Sequence, residues 1–345
     1  MIELCFIIGF KSRTIKLATS QSPKLPTYNI LTSNFGLILG IITLLIQLYG
    51  LKTTGLIVLN EEVNHLSVYD GLGPLKAFLF SLRTLFFIYF FYKRKIHSLS
   101  FFDWSVFIVV IFGIITSGSK SGIMTPVTLY FIVEYYFKRK FGVPFKRIKK
   151  SVLVCILLFP IVVILLHDRG NIIQSLMILF ARFAANGDIY VLGFNDTVIK
   201  NISDTSFLKY IFYPGWGTIL KTIGFDITPP EGLGVNIYRQ YYNIYDSGPN
   251  TRLNYLLYYF FNTPLGCLFS FCAGKIVRFV RENYAKNKSN FFLFFVSTIM
   301  YCNILSIISD INIFLNNTFW ALFSFFFIYF VSQLVSKVNL ELKRA

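Results

Sequence analysis

The sequence predicts an all-α polytopic integral membrane protein with about eight to ten transmembrane helices and one large external loop. Three observations carry that expectation. Of 345 residues, 55% are hydrophobic and only 14% are charged, against about 25% charged in an average soluble domain. With 40 Phe besides, the chain has more apolar surface than one soluble core absorbs. The net charge of +17 sits in short segments between apolar runs, as the positive-inside rule requires of cytoplasmic loops. Finally, the stretch His167–Arg252 is polar, rich in Tyr, Gly, Asp and Arg, and too long for a connector, since loops beyond about 12–15 residues are functional or disordered.

Each element follows from length and flanking charge. Met1–Phe10 is apolar but too short to span, since a crossing helix needs about 20 residues. No small-residue cleavage site follows it, so it does not read as a signal peptide. Lys11, Arg13, Lys16 and Lys24 place the next segment in the cytoplasm. Phe35–Leu51 goes out, Lys52–Gly73 is an external loop, and Pro74–Tyr92 returns to Lys93, Arg94 and Lys95. Trp104–Thr116 goes out and Ile123–Phe137 comes back to a basic loop ending at Lys149 and Lys150. Ser151–Leu166 goes out, bent near Pro160. After the large loop, Leu253–Ile276 returns to Arg278, Arg281, Lys286 and Lys288. Phe291–Ile308 goes out, and Ile313–Val335 comes back to Lys337, Lys343 and Arg344. Every basic cluster falls on one side. Ile172–Ala185 is apolar at helical spacing between two external neighbours; it lies flat in the interface or dips in and returns with Ile189–Phe194. The whole reads as one membrane domain, 1–345, carrying a large loop over 168–252.

The loop is charge-balanced. Asp168, Asp188, Asp196, Asp204, Asp226, Glu231 and Asp246 face Arg169, Arg182, Lys200, Lys209, Lys221, Arg239 and Arg252. The basic excess is therefore topological and gives no reason to expect nucleic acid. Five Cys lie in apolar runs with no ligand spacing, which gives neither a disulfide framework nor a zinc site. The three His are far apart. No P-loop, nucleophile elbow or paired metal carboxylates occur, which disfavours ATP hydrolysis and serine-hydrolase chemistry. No metal or cofactor is expected.

Three constellations could carry chemistry. In Ser117-Gly118-Ser119-Lys120-Ser121-Gly122, Ser121 can cap the helix that follows, and its free N–H groups with Lys120 would attract an anion. Trp104–Thr116 rises only about 20 Å against a core of about 30 Å, so this turn can sit below the surface. It also reads as a tight hairpin whose Lys snorkels to the headgroups, and a span starting near Leu99 removes the depth argument. The second set is Arg169, Arg182 and Asp188. Arg169 or Arg182 would hold phosphate oxygens by bidentate hydrogen bonds; the plain alternative is a structural Arg182–Asp188 pair. The third is Tyr238-Arg239-Gln240-Tyr241-Tyr242, followed by Asp246 and a turn that delivers Asn250 and Arg252 to the mouth of the next helix. Tyr241 and Tyr242 suit the apolar faces of sugar rings, and Arg239, Asn250 and Arg252 suit hydroxyls and phosphates. Each Tyr, and Trp216, fits an interface belt equally well. Asp310 and Asn312, at the outer end of a hairpin, could line the cavity, and read first as solvated.

The Ser-Gly-Ser-Lys-Ser-Gly turn ahead of an apolar helix, the Arg-bearing segment before a large outer loop, and the late Gly-Pro-Asn-Thr-Arg together resemble the bacterial O-antigen polymerase family (Wzy-type oligosaccharide repeat unit polymerases). So does the Phe/Ile/Tyr-rich composition. The family's Arg followed after ten residues by Gly is met by Arg182 and Gly193, although the chain has fewer spans than the family carries. The resemblance implies a glycosyltransferase of the GT-C kind in the bacterial inner membrane, its large loop periplasmic. Its partners would be an undecaprenyl-pyrophosphate-linked oligosaccharide, the lipid bilayer and a chain-length regulator protein. The catalytic residues would be Asp188 or Asp246 as general base and Arg182 on the departing diphosphate. Lys120, Arg169, Arg239, Asn250, Arg252, Tyr241 and Tyr242 would bind substrate. Three other readings stand beside it. An O-antigen ligase would carry a functional His in the large loop, where only His167 stands at the edge. A flippase or transporter would show related halves and short loops. An acyltransferase would want a buried His.

Overall fold

A computed structural model describes residues 1–12, 25–55, 73–117, 122, 124–144, 187–202, 206–244, 248–286 and 290–342, with scattered positions between 154 and 180. Every element among them is helical: α1 (Ile2–Lys11), α2 (Ile30–Thr54), α3 (Gly73–Ile96), α4 (Phe101–Thr116), α5 (Met124–Phe141), α6 (Asp188–Leu192), α7 (Asp196–Asn201), α8 (Phe207–Phe212), α9 (Thr218–Thr222), α10 (Leu233–Tyr242), α11 (Leu253–Asn283), α12 (Phe291–Asn303), α13 (Ser306–Ser309) and α14 (Ile311–Leu342). Among the described residues, five helical stretches are long and apolar enough to cross a membrane: α2, α3, α11, α12 with α13, and α14. The chain is a helical, multi-pass membrane protein. The other three expected spans are less clear-cut. α4 has 16 residues. α5 has 18, among them Glu134, and ends on Lys138, Arg139 and Lys140. Ser151–Leu166 lies outside the described residues apart from single positions.

The described residues form two compact units. The bundle unit comprises Ala18–Leu176, Tyr284–Cys302 and Trp320–Ala345. Its central helix is α3, where Leu85 to Lys93 are buried one after another. A run that is apolar on every side has no polar face to turn outward, so it takes the middle of a bundle. α2 is different. Leu37, Ile41, Leu45 and Leu48 are exposed along one stripe while Phe35, Leu39, Thr43 and Gln47 are buried on the other, the pattern of a helix with one face to lipid. Small residues let the helices close up: a Cβ at Gly36 would stand 1.9 Å from the Tyr89 hydroxyl oxygen, and one at Gly40 2.5 Å from the Phe102 ring. Rings fill the core, with Tyr92 4.6 Å from Phe294 and Phe295 stacked 5.1 Å from Phe325. Two ion pairs are buried here. Lys93 Nζ donates to Asp103 Oδ2 at 2.7 Å, and Lys95 Nζ lies 2.7 Å from Glu134 Oε1. Lys93 and Lys95, expected to mark the cytoplasmic side, therefore also hold α3 to α4 and α5. Ser100 caps α4 in a reciprocal box with Asp103. That start at Phe101 adds a turn to the expected Trp104–Thr116 and gives a rise of about 24 Å, still short of about 30 Å.

The loop unit comprises Met1–Leu17, Met177–Asn283 and Asn303–Phe319. Its main departure from expectation is α11, expected as one unbroken crossing from Leu253. The helix breaks at Asn262, with φ 55° and ψ −170°. The cause is Pro264, which has no N–H for the preceding turn and disfavours helical backbone at Thr263. The second arm, 263–283, rises about 31 Å and suffices to cross; the first arm, 253–261, rises about 14 Å and does not. The first arm instead belongs to a core of Leu253, Tyr255, Leu256, Leu257, Ile189 and Ile237. Ile189–Phe194 holds the short α6 of 5 residues, and its expected partner Ile172–Ala185 lies outside the described residues apart from single positions.

α1 runs parallel to the second arm of α11 and touches it through glycines. A Cβ at Gly9 would stand 2.1 Å from the Phe271 carbonyl oxygen, and one at Gly274 2.2 Å from that of Phe6. Ser270 Oγ donates to the Ile2 carbonyl at 2.8 Å. The last carbonyls of α1, which have no partner within the helix, receive the Arg278 guanidinium: Phe10 O at 3.3 Å, Ser12 O at 2.5 Å, and Lys11 O. We expect Gly274→Ala to force this contact apart and cost about 1–3 kcal/mol, the usual penalty for overpacking, measured as a shift in thermal unfolding in detergent. Cys272→Ala, at an exposed position on the same arm, should leave it unchanged.

Candidate functional site

Polar side chains converge in the loop unit on α6, α10 and the strand of chain leading into α11. Two close backbone approaches place them. A Cβ at Gly234 would stand 1.8 Å from the Pro249 carbonyl oxygen, and one at Gly248 2.3 Å from Gly234. The Gly-Pro-Asn-Thr-Arg turn thus lies directly on the start of α10, and only glycine fits on either side. At its other end α10 stops on Asn243, in the left-handed conformation with φ 55°. Thr251 is buried, and its hydroxyl accepts from Tyr210 at 3.4 Å. Asp310, expected to be solvated, is half-buried and accepts the Asn312 N–H at 2.8 Å. Burial raises its pKa, opposed by backbone N–H groups of Asn312, Ile313 and Thr251.

Asp188 opens α6 and accepts a short hydrogen bond from the Tyr238 hydroxyl. Burial, then that hydrogen bond, push the Tyr238 pKa up to about 12, so at neutral pH Tyr238 stays a donor. Tyr242 meets Tyr238 edge-on at 5.3 Å. Tyr241 accepts from Asn195 Nδ2 at 3.3 Å and donates to Leu192 O at 3.4 Å. The rings of Tyr241 and Tyr242 remain 41% and 54% exposed, open to a ligand. Arg239 forks onto Glu231, with Nη1 to Oε2 at 2.9 Å and Nη2 to Oε1. It was expected to grip substrate; a carboxylate already occupies its fork.

A second cluster was not expected. Glu3, in the first turn of α1, accepts from Asn254 Nδ2 at 2.9 Å and from the Tyr190 hydroxyl at 3.4 Å. Burial and Glu3 raise the Tyr190 pKa, and the charge of Arg252 opposes them. Arg252 is therefore within electrostatic reach of Tyr190. Asn250 is exposed in the same turn. The structure therefore brings Asp188, Arg239, Tyr241 and Tyr242 together on α6 and α10, with Arg252 in electrostatic reach of Tyr190 on α6. Lys120, Arg169, Arg182 and Asp246 lie outside the described residues. The signal for Glu3 was visible: a carboxylate in an otherwise apolar decapeptide calls for a partner or a function.

The bundle unit holds one polar node of its own. Arg83, 4% exposed in the middle of α3, donates from Nε to Gln47 Oε1 at 2.8 Å and from Nη2 to Gly113 O at 3.2 Å. It borders a narrow cleft with Gln47, Thr54, Thr116 and Ser117. A lone Arg inside an apolar run is the kind of residue that marks such places. Among the described residues, no group of three or more potential metal ligands occurs. Comparison with protein-family models, with curated proteins and with solved structures found no match in any of the three.

Proposed function

We propose that the protein polymerises lipid-linked oligosaccharide repeat units into O-antigen or a similar surface polysaccharide at the periplasmic face of the bacterial inner membrane. The reaction is glycosyl transfer. The acceptor sugar hydroxyl attacks the anomeric carbon of a glycan on undecaprenyl pyrophosphate; its proton passes to a carboxylate, the carbon–oxygen bond to the diphosphate breaks, and the lipid diphosphate leaves. One observation carries this reading: Asp188 and Tyr238 form an acid–phenol pair flanked by exposed Tyr241 and Tyr242, in the unit that also holds Arg252. A carboxylate that accepts one hydrogen bond keeps acceptor capacity for a second. Asp188 so polarised is the general base. The tyrosine rings offer apolar faces to the sugar, and Arg252, immediately before α11, offers its cation to the leaving diphosphate. Arg239 is a positioning residue that fixes α10 through Glu231.

Deleting the gene and resolving the lipopolysaccharide on a gel tests the reading. A polymerase loss leaves core bearing a single repeat unit. Bare core overturns the proposal and favours a ligase or a flippase. Arg252→Lys keeps the charge and removes the planar fork. Losing a charge-assisted hydrogen bond is worth about 1.5–3 kcal/mol, or roughly 10–100-fold in rate, and the gel should show chains shortened to a few repeats. Wild-type chain length in this variant refutes the role given to Arg252.

A further inference from the structure

Among the described residues, the segment 207–225 presents a largely exposed apolar face. Leu208 is 65% exposed, Phe212 62%, Trp216 58%, Ile223 64% and Phe225 58%. Tyr210, Gly215 and Gly217, from the same run, are buried. Leu208 and Phe212 are four residues apart on α8 and so share a face. A kink then carries the run round: Gly215 takes φ 90° after Pro214, a backbone that suits glycine. Leu208, Phe212 and Trp216 are therefore presented outward as a set of large apolar groups, flanked by exposed Lys209 and Lys221. A soluble loop has no reason to show water five such side chains in nineteen residues.

The contacts at the two ends of this segment identify what covers it. At one end, the Phe207 ring lies 4.5 Å from Phe261 and 6.2 Å from Phe269. Phe269 is about 9 Å along the crossing arm of α11, counted from Thr263 at 1.5 Å per residue. At the other end, the Trp216 ring lies 5.2 Å from Phe319, and a Cβ at Gly215 would stand 2.5 Å from that same ring. Phe319 is about 12 Å into α14, counted from Ile311. The segment is thus packed against the 263–283 arm of α11 and the first turns of α14, two helices long and apolar enough to cross a membrane.

We propose that 207–225 is a membrane-docking element that lies in the bilayer interface, with Leu208, Phe212, Trp216, Ile223 and Phe225 sunk among the lipids and Lys209 and Lys221 among anionic headgroups. An interfacial helix of this kind buries its apolar face about 5–10 Å into the headgroup–acyl boundary, and Trp with flanking Lys is its usual composition. The element anchors the loop unit to the surface. It brings Asp188 and Arg252, which sit in the same unit, to the height at which a lipid-borne headgroup is presented.

The full chain in nanodiscs containing anionic lipid tests this. The protein has 3 Trp, so Trp104→Phe with Trp320→Phe leaves Trp216 alone. Acyl chains brominated near the headgroup should quench its emission most, chains brominated near the bilayer centre less, and aqueous iodide least. Iodide quenching with no effect of either brominated lipid overturns the proposal. So does emission that responds only to the protein-to-lipid ratio, which would mean a second copy covers the face. Trp320 is buried against Phe78 and Phe323, so a second measurement is made on the unaltered protein. A lipid-partitioning carbene reagent should label peptides from 207–225 as well as from 263–283. Label on 263–283 without label on 207–225 overturns the proposal independently.

Discussion

Asp103→Ala should destabilise the protein by about 3–5 kcal/mol, the range observed when one partner of a buried ion pair is removed. The pair is buried on both sides, with Lys93 and Asp103 at 7% and 3% exposure. Asp103 Oδ2 receives three donors: Lys93 Nζ at 2.7 Å, the Ser100 hydroxyl at 2.7 Å and the Ser100 N–H at 2.6 Å. Removing the carboxylate strands the ammonium beside the Tyr28 and Tyr89 rings, 5.3 and 5.8 Å away, and removes half of the box that starts α4. The two losses can be separated. Asp103→Asn keeps an oxygen for the Ser100 N–H and deletes only the charge, so it should recover about 1 kcal/mol, the worth of a helix cap. Lys93→Met combined with Asp103→Leu removes both charges and should be far less harmful than Asp103→Ala alone, because a buried pair replaced by apolar groups is often neutral. Unfolding in a mixed-micelle titration measures all three. Asp103→Ala as stable as wild type would mean that Lys93 reaches water.

Much of this architecture could be read from residues alone, and the reasons are physical. Bilayer thickness fixes how long an apolar run must be, so α2, α3 and α14 were placed within a few residues of where they fall. The limits of such reading are equally concrete. The Leu253–Ile276 run satisfies every hydropathy criterion, yet Asn262-Thr263-Pro264 breaks it; composition is blind to a missing N–H that the dipeptide itself announces. Lys93 and Lys95 stand out in the sequence as a basic cluster, but their acids, Asp103 and Glu134, lie in other helices, and pairing between helices leaves no mark on either sequence. The site divides in the same way. Tyr238 to Tyr242 stood out by type and spacing, and Asp188 by its loop. Their meeting through α6 and α10 is a tertiary contact, Tyr238 to Asp188, the turn of Gly248 is seated on α10 at Gly234, and Glu3 is drawn in from 251 positions away in sequence. Arg83 could have been found, since an Arg surrounded by apolar residues needs explaining wherever it occurs.

Asp188→Asn should lower the rate of repeat-unit transfer by about 10²–10⁴-fold, the contribution of a positioned general base, while leaving the loop unit folded. The amide keeps an oxygen to accept from Tyr238 and loses only basicity. Thermal stability should therefore move little, and lipid-linked single repeats should accumulate in purified proteoliposomes. Tyr238→Phe supplies the contrast. It removes the hydroxyl that donates to Asp188 and leaves the carboxylate less firmly placed. Transfer should fall less than in Asp188→Asn, because the carboxylate that takes the proton is still present. A purely structural Asp188 makes a different forecast: both variants would lose stability together, and the protein that stays folded would transfer near the wild-type rate. Glu3→Gln distinguishes the two carboxylates. If Glu3 only anchors Asn254 and Tyr190, the amide preserves one acceptor and transfer continues near the wild-type rate. A collapse of transfer in Glu3→Gln with Asp188→Asn active would move the base from α6 to α1.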